Sequence, residues 1–136
     1  MIYLDNSATT RPCSQAVEAM MQAMTQSWGN PSALYNFGID TARQLKTARH
    51  TVAAAMGAEP DRVFFTSGGT ESNNLAVMGA AYQMRRFGKR IVSTSVEHPS
   101  IDETLNKLEA EGFEVIKLRV DNFGRVNERE LYAAVN

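Results

Sequence analysis

Apolar residues recur at helical spacing through the first part of the chain. A repeat of three to four residues predicts an amphipathic helix over residues 14–27, with the stripe Val17, Met20, Met21, Met24 and Trp28. The segment Gly29-Asn30-Pro31-Ser32 breaks this pattern. A longer helix follows, closed at Gly57 by a C-terminal cap. Its stripe, expected to be buried, is Leu45, Ala48, Val52, Ala55 and Met56.

After Gly57 the pattern alternates between short apolar runs and helical periods. It predicts strand Val63–Thr66, helix Thr70–Phe87 closed by Gly88, strand Arg90–Val96, a helix opened by Pro99, and strand Glu114–Val120. Asn127 with Glu130 resembles a capping box that starts a last helix. Strands alternating with helices predict an α/β fold with a largely parallel sheet of βαβ units. Three strands cannot cover and close such a sheet, so the fold looks truncated.

Composition places the chain among ordinary globular domains. It has 136 residues, 43% of them hydrophobic and 21% charged, and a formal net charge of -1. Lys and Arg are scattered singly, which argues against direct binding of nucleic acid. We also expect no membrane segment and no leader peptide. A single cysteine, Cys13, precludes an internal disulfide, and a cytoplasmic location is the expectation.

A glycine pair lies between the first predicted strand and its helix, in Ser67-Gly68-Gly69-Thr70. Such a turn lets the backbone approach a ligand, so the amides of Ser67 to Thr70 are predicted to point toward an anion at the start of the helix, with the Thr70 hydroxyl as a further donor. The alternative is a tight connection in which Thr70 is a simple N-cap, and spacing alone does not separate the two. No lysine follows the glycines, and no G-x-G-x-x-G is present.

His98 follows the next predicted strand. Ligands of parallel sheets bind at the carboxyl ends of the strands, so His98 is predicted to share one edge with the glycine turn. There an imidazole can lie on an aromatic ring or carry a proton. The alternative for His98 is a solvent-facing loop residue, which is the more common role of a lone histidine. His50, inside the long helix, is interpreted as a surface residue. Cys13 is interpreted as a small residue near a helix start, not a nucleophile.

Together these segments resemble the cysteine desulfurase and selenocysteine lyase branch of the class V aminotransferase-like enzymes, which use pyridoxal 5'-phosphate (PLP). The matching blocks, which span the whole chain, are Tyr3 to Thr10, Gly29 to Ser32 with Gly38 and Ala48-Arg49, Phe65 to Asn74, Glu97-His98, and Gly112 to Val126. The resemblance implies part of a PLP fold-type I large domain over residues 1–136, with residues 1 to about 30 as an N-terminal segment and first helix. It implies that Gly69 and Thr70 bind the cofactor phosphate, that His98 stacks on its ring and moves protons, and that the substrate pocket is bordered by Asn6, Ala8 and Thr9.

The implied reaction removes sulfur from L-cysteine, giving L-alanine and a persulfide for a sulfur-acceptor protein that serves iron–sulfur clusters or tRNA thiolation. The implied assembly is a homodimer. A class V aminotransferase and a non-catalytic phosphate-binding module are the alternatives. Two positions depart from the family pattern: Tyr35 stands near a usual histidine, and Gly69 replaces the commoner alanine.

The lysine that forms the Schiff base and the cysteine that takes up sulfur match no residue of this chain. None of the four lysines, Lys46, Lys89, Lys107 and Lys117, fits the family's lysine motif. Because PLP chemistry requires that lysine, the chain alone is expected to be catalytically silent.

Overall fold

The computed structural model describes residues 2–136, which divide into two compact units, the first ending at Phe64 and the second running from Phe65 to Asn136. The first unit is helical, and the second contains the sheet. In chain order the elements are helix α1 (Ser14–Gln26), helix α2 (Asn36–Met56), a 3-10 turn (Pro60–Arg62), helix α3 (Gly69–Met84), strand β1 (Arg90–Thr94), helix α4 (Pro99–Ala110), strand β2 (Glu114–Leu118) and helix α5 (Glu128–Val135). None of the helices in residues 2–136 has the length and hydrophobicity to cross a bilayer.

Helix α1 begins and ends close to its predicted bounds, and α2 ends where the sequence predicts. Helix α2 ends at Gly57, which has the left-handed φ of 64° that an L side chain rarely adopts. Beyond it, the Ala58 amide donates to the Ala53 carbonyl at 2.9 Å and closes the last turn. The predicted C-terminal cap is confirmed.

The Asn30-Pro31-Ser32 turn packs against the start of α2. The Ser32 amide donates to Asn30 Oδ1 at 2.9 Å, which holds the turn in shape. Gly38, in the first turn of α2, is buried, and a Cβ built there would lie 2.4 Å from the Ala33 carbonyl oxygen. This block of the sequence therefore performs a packing role, because only glycine lets the turn approach the helix so closely.

The second unit is built on one βαβ unit. Strands β1 and β2 are parallel, with Arg90 opposite Glu114 and Thr94 opposite Leu118. Leu105 and Leu108 of α4 are fully buried, and Leu108 packs with Ala81 and Phe113. Helix α3 lies against α4, so the N-termini of both helices belong to the same unit as the ends of the strands. The α/β class and the parallel sheet are confirmed.

The predicted strand Val63–Thr66 is wrong within the described residues. Its backbone is extended at Val63 (φ -100°, ψ 121°), but no strand forms over this segment, and the sheet of the described residues consists of β1 and β2. Extended conformation follows from local β-propensity, whereas a strand requires the ladder of a neighbour. The other two strands also end earlier than predicted, at Thr94 and Leu118, and α3 ends at Met84 instead of Phe87.

The predicted buried stripe of α2 is also wrong in this structure. Only Gly38 and Ala53 of this helix are buried, and Met56 is 74% exposed. Within its own unit, α2 contacts chiefly the 3-10 turn Pro60–Arg62, which is too short to cover the face of a 21-residue helix. The stripe of α1 is likewise exposed along its whole length.

Candidate functional site

The glycine turn leads directly into the N-terminus of α3. Gly68 is the N-cap, in an extended conformation, and the helix begins at Gly69. The first hydrogen bond of the helix is donated by the Ser72 amide to the Gly68 carbonyl, at 3.1 Å. In the described part of the chain, the Gly69 and Thr70 amides and the Thr70 hydroxyl donate to no protein acceptor. These donors lie where the helix dipole favours an anion.

Side chains on both sides of the glycines hold the turn in place. Glu71 Oε2 accepts from the Ser67 amide and from the Ser67 hydroxyl, each at 2.7 Å. These two bonds lower the pKa of the Glu71 carboxyl, the backbone bond contributing most. Thr66 Oγ1 donates to the Gly68 carbonyl at 3.1 Å and lies 2.7 Å from Ser72 Oγ. A glycine pair is conformationally free in isolation, so these contacts select one shape for the turn.

One part of the sequence prediction needs correction here. We expected the amides from Ser67 to Thr70 to face an anion site together. The Ser67 amide is instead used by the Glu71 carboxylate, because a glutamate one turn into the helix reaches back to the donors that precede it. Of the amides that follow, those of Gly68, Gly69 and Thr70 donate to no acceptor in the described chain.

His98 is the N-cap residue of α4 and follows β1 after a short turn. Its Nδ1 accepts from the Ser100 amide at 3.1 Å and lies 2.8 Å from the Ser100 hydroxyl. Proline at the next position has no amide, so Ser100 carries the first free donor of the helix. The imidazole is exposed, and it occupies a defined position at the start of a helix.

Thr70 and His98 line the same open cleft between α3 and α4. Its volume is about 390 Å³, within the range of small-molecule sites. Asn74 and Thr104 also line it, and Lys107 lies at its far end. The structure thus brings the glycine turn and His98 together on one side of the unit.

The opening segment forms a turn of its own in the first unit. The Ala8 and Thr9 amides donate to the Asp5 carbonyl at 3.1 and 3.4 Å, and the Thr10 hydroxyl donates to the Asn6 carbonyl. Asn6, Ala8 and Thr9 are all exposed. Their role at the border of a substrate pocket stays a prediction.

Four polar residues at the contact of α3 and α4 were not singled out from the sequence: Asn73, Asn74, Ser100 and Thr104. The available signal was a pair of asparagines inside a helix, where such residues are poor helix formers. Cys13 is confirmed at the start of α1, as its exposed N-cap residue.

Three of the four lysines are engaged with other groups. Lys107 donates to Glu111, which raises the pKa of the Lys107 ammonium. Lys117 pairs with Asp102 on α4, and Lys89 lies 6.0 Å from the ring centroid of Phe113. A lysine nucleophile must be deprotonated, usually by burial or by a neighbouring cation. The bond to Glu111 has the opposite effect on Lys107, the only lysine that lines the cleft within residues 2–136.

The family model for class-V aminotransferases matches residues 2–136, so the chain belongs to the aminotransferase class-V family. It is 48% identical over 136 residues to the NifS/IcsS protein homolog of Lactobacillus delbrueckii subsp. bulgaricus. It is 45% identical over 134 residues to the cysteine desulfurase IscS of Methanosarcina thermophila. These matches cover 100% and 98% of this chain but 35% and 33% of the relatives. The chain therefore spans about a third of the length of the curated relatives it matches.

Solved structures agree with this assignment. A NifS-like protein superposes with a TM-score of 0.91 at 34% identity, covering 99% of this chain and 37% of its own. The structure described as SspA in complex with cysteine has a TM-score of 0.87 at 30% identity, covering 98% of this chain and 39% of its own. The fold corresponds to the N-terminal part of NifS-like PLP fold-type I enzymes.

Proposed function

We propose that residues 1–136 supply the phosphate-binding and ring-contacting part of a PLP-dependent cysteine desulfurase. The reaction breaks the bond between Cβ and sulfur of L-cysteine and forms an S–S bond at an accepting cysteine thiolate. The carbon product takes up a proton and becomes L-alanine. The observation that carries this proposal is the shared cleft of Thr70 and His98, in a chain whose relatives are named cysteine desulfurases.

The cleft and the glycine turn beside it are proposed to hold the two ends of PLP. The phosphate requires several donors at one place, and the Gly69 amide, the Thr70 amide and the Thr70 hydroxyl are unused by protein acceptors of the described chain. A Cβ built at Gly68 or Gly69 would meet no atom within 4 Å, so the approach is open. PLP, when bound, supplies an electron sink for bond cleavage at the substrate.

His98 is proposed to contact the ring of the cofactor and to move a proton. Its Nδ1 is used in capping α4, which leaves Nε2 as the nitrogen that can exchange a proton with a ligand. An imidazole held by a helix cap keeps its position without the cofactor. This supports a preformed contact at the ring and a general acid–base role for Nε2.

The remaining parts of the proposal concern the whole enzyme. We propose that Asn6, Ala8 and Thr9 border the substrate pocket. We also propose that the enzyme passes its sulfur to a sulfur-acceptor protein, for use in iron–sulfur cluster assembly or tRNA thiolation. We also propose a cytoplasmic homodimer in which residues 1–136 are part of one large domain. The chain alone is proposed to be inactive, because none of its four lysines matches the family's lysine motif and Lys107, which lines the cleft, is held by Glu111.

A chimera tests the proposal directly. Residues 1–136 would replace the matching third of the Lactobacillus delbrueckii relative, with which they share 48% identity. PLP absorbance reports folding and cofactor binding, and sulfide with alanine formed from L-cysteine reports the reaction. We expect both in the chimera, strong loss of turnover in the His98→Ala form, and little change in the His50→Ala form, since His50 lies on the exposed surface of α2.

Two outcomes would reject the proposed function. A chimera that holds PLP but converts L-cysteine to a keto acid in the presence of an amino acceptor would identify an aminotransferase. A chimera that holds PLP and forms neither product, while the intact relative forms sulfide in the same assay, would identify a binding module. Loss of turnover in His50→Ala equal to that in His98→Ala would remove the assigned role of His98.

A further inference from the structure

A short chain of hydrogen bonds connects α3 to the ring of His98. Asn73 Nδ2 donates to Ser100 Oγ at 2.8 Å, across the contact of α3 and α4. Ser100 Oγ lies 2.8 Å from His98 Nδ1, and the Ser100 amide donates to the same nitrogen at 3.1 Å. The helix that starts at the glycine turn is thereby tied to the histidine of the other helix.

The donors in this chain determine which nitrogen of the ring carries the proton. A backbone amide can only donate, so Nδ1 of His98 must be an acceptor. Because Nδ1 is an acceptor, the Ser100 hydroxyl, which itself accepts from Asn73, directs its hydrogen to Nδ1 beside the amide. In the neutral ring the proton then resides on Nε2, the nitrogen not used by the protein.

A second polar link lies beside the first. Thr104 is 3% exposed, and its hydroxyl lies 2.9 Å from both Asn74 Oδ1 and the Ser100 carbonyl. Asn74 Nδ2 donates to the Thr70 carbonyl at 2.9 Å. Polar residues at a helix contact cost desolvation that apolar residues would avoid, but satisfied networks select one arrangement of their members. The arrangement selected here fixes Ser100 beside the His98 ring.

We infer that Asn73 and Ser100 are positioning residues that hold the His98 ring in one orientation and as the Nε2–H tautomer. The inference rests on the proposed function for its purpose, since His98 is the proposed ring contact and proton carrier. Asn73 acts through Ser100 and has no direct contact with His98 among the hydrogen bonds of residues 2–136. The hydrogen bonds that place Asn73 and Ser100 are made entirely by residues of this chain.

Nitrogen NMR of the ¹⁵N-labelled chain in alkaline buffer tests this inference, with His50 as an internal reference. The His50 side chain is exposed and makes no hydrogen bond or ion pair within the described chain, so its ring nitrogens should show the average of two tautomers. We expect His98 to show one tautomer, with Nδ1 shifted as a hydrogen-bond acceptor. Ser100→Ala removes the hydroxyl and keeps the backbone donor, so it should move the His98 shifts part of the way toward those of His50, and Ser100→Thr should restore them.

The matched pair Asn73→Ala and Asn74→Ala assigns the effect to the first link. Asn73→Ala should move the His98 shifts in the same direction as Ser100→Ala, while Asn74→Ala should leave them near the native values. PLP affinity, measured by fluorescence quenching, should fall roughly two- to tenfold in Ser100→Ala as ring order is lost. Backbone amide spectra check that each variant is folded, and Asn73→Ser provides a smaller change if Asn73→Ala is not.

The inference is overturned if His98 and His50 have the same ring shifts in the native chain, or if folded Ser100→Ala leaves the His98 shifts unchanged. The NMR experiment contains no PLP, so its result stands apart from the proposed function. Ring shifts as expected, combined with no PLP binding by the chain or its chimera, would reject the function and retain the positioning role. Ring shifts unlike those expected, together with sulfide release by the chimera, would reject the positioning role and retain the proposed function.

Discussion

The capping bond of His98 can be separated from the chemistry of its ring by two substitutions. His98→Ala removes the acceptor of the Ser100 amide, the first free donor of α4. Loss of a side-chain N-cap costs about 1 kcal/mol. His98→Asn keeps an acceptor at the same position, and asparagine is among the best N-cap residues. We therefore expect His98→Ala to destabilise the second unit and His98→Asn to leave it close to native stability.

The expected size of the effect follows from the size of the unit. For a domain of this class, 1 kcal/mol at the midpoint corresponds to a change in Tm of roughly 4–8 °C. Circular dichroism during thermal unfolding measures this change in Tm. Hydrogen exchange at the Leu105 and Leu108 amides assigns the loss of stability to the unit of Phe65–Asn136. PLP binding should weaken in both variants, since neither has an imidazole. Equal stability of His98→Ala and the native chain would refute the capping argument, and so would destabilisation of His98→Asn to the level of His98→Ala.

Three further changes test other features. Gly38→Ala should destabilise the first unit by about 1–3 kcal/mol in urea unfolding, because the added Cβ meets a backbone carbonyl oxygen at 2.4 Å. The control Gly79→Ala, which has open space in the interior of α3, should stabilise the fold by up to about 1 kcal/mol, and equal effects of the two substitutions would contradict the packing argument. Because the pKa of Glu71 is lowered, its hydrogen bonds stabilise the fold at pH values above the ordinary pKa of 4.5, and this stabilisation is lost as the pH falls through the lowered pKa. Glu71→Gln should therefore reduce the fall in the free energy of unfolding at acid pH, measured by urea unfolding at a series of pH values. Glu111→Gln should return the raised pKa of Lys107 toward 10.5 in an NMR titration, and an unchanged value would show that the ion pair does not form in solution.

Local signals in the sequence predicted the helices and the glycine turn well. The left-handed Gly57 cap, Pro99 at the first turn of α4 and Asn127 before α5 each depend on residues within four positions of one another. Asn127 Oδ1 accepts from the Arg129 amide at 2.9 Å, as expected of an N-cap. Such features are fixed by short-range geometry, so the pattern alone was sufficient.

The misses have a different physical origin. Val63–Thr66 has the composition of a strand, but pairing depends on a neighbour that local propensity cannot supply. The stripe of α2 has helical spacing, but burial depends on what packs against it. The links from Asn73 to Ser100 and from Asn74 to Thr104 join residues 27 and 30 positions apart, and no periodicity reveals such pairs. Long-range contacts therefore account for most of what the sequence left open.

The position of the candidate cofactor site in the chain explains why it can form within the second unit. The turn is held by contacts between residues at most six positions apart, from Thr66 to Ser72. His98 is held by the helix that it caps and by one link to α3. These contacts all lie inside one βαβ unit with its preceding helix, so they need no strand beyond β1 and β2. A site assembled from such contacts is ordered before its ligand arrives, and the ordering cost is then not subtracted from the affinity for the cofactor.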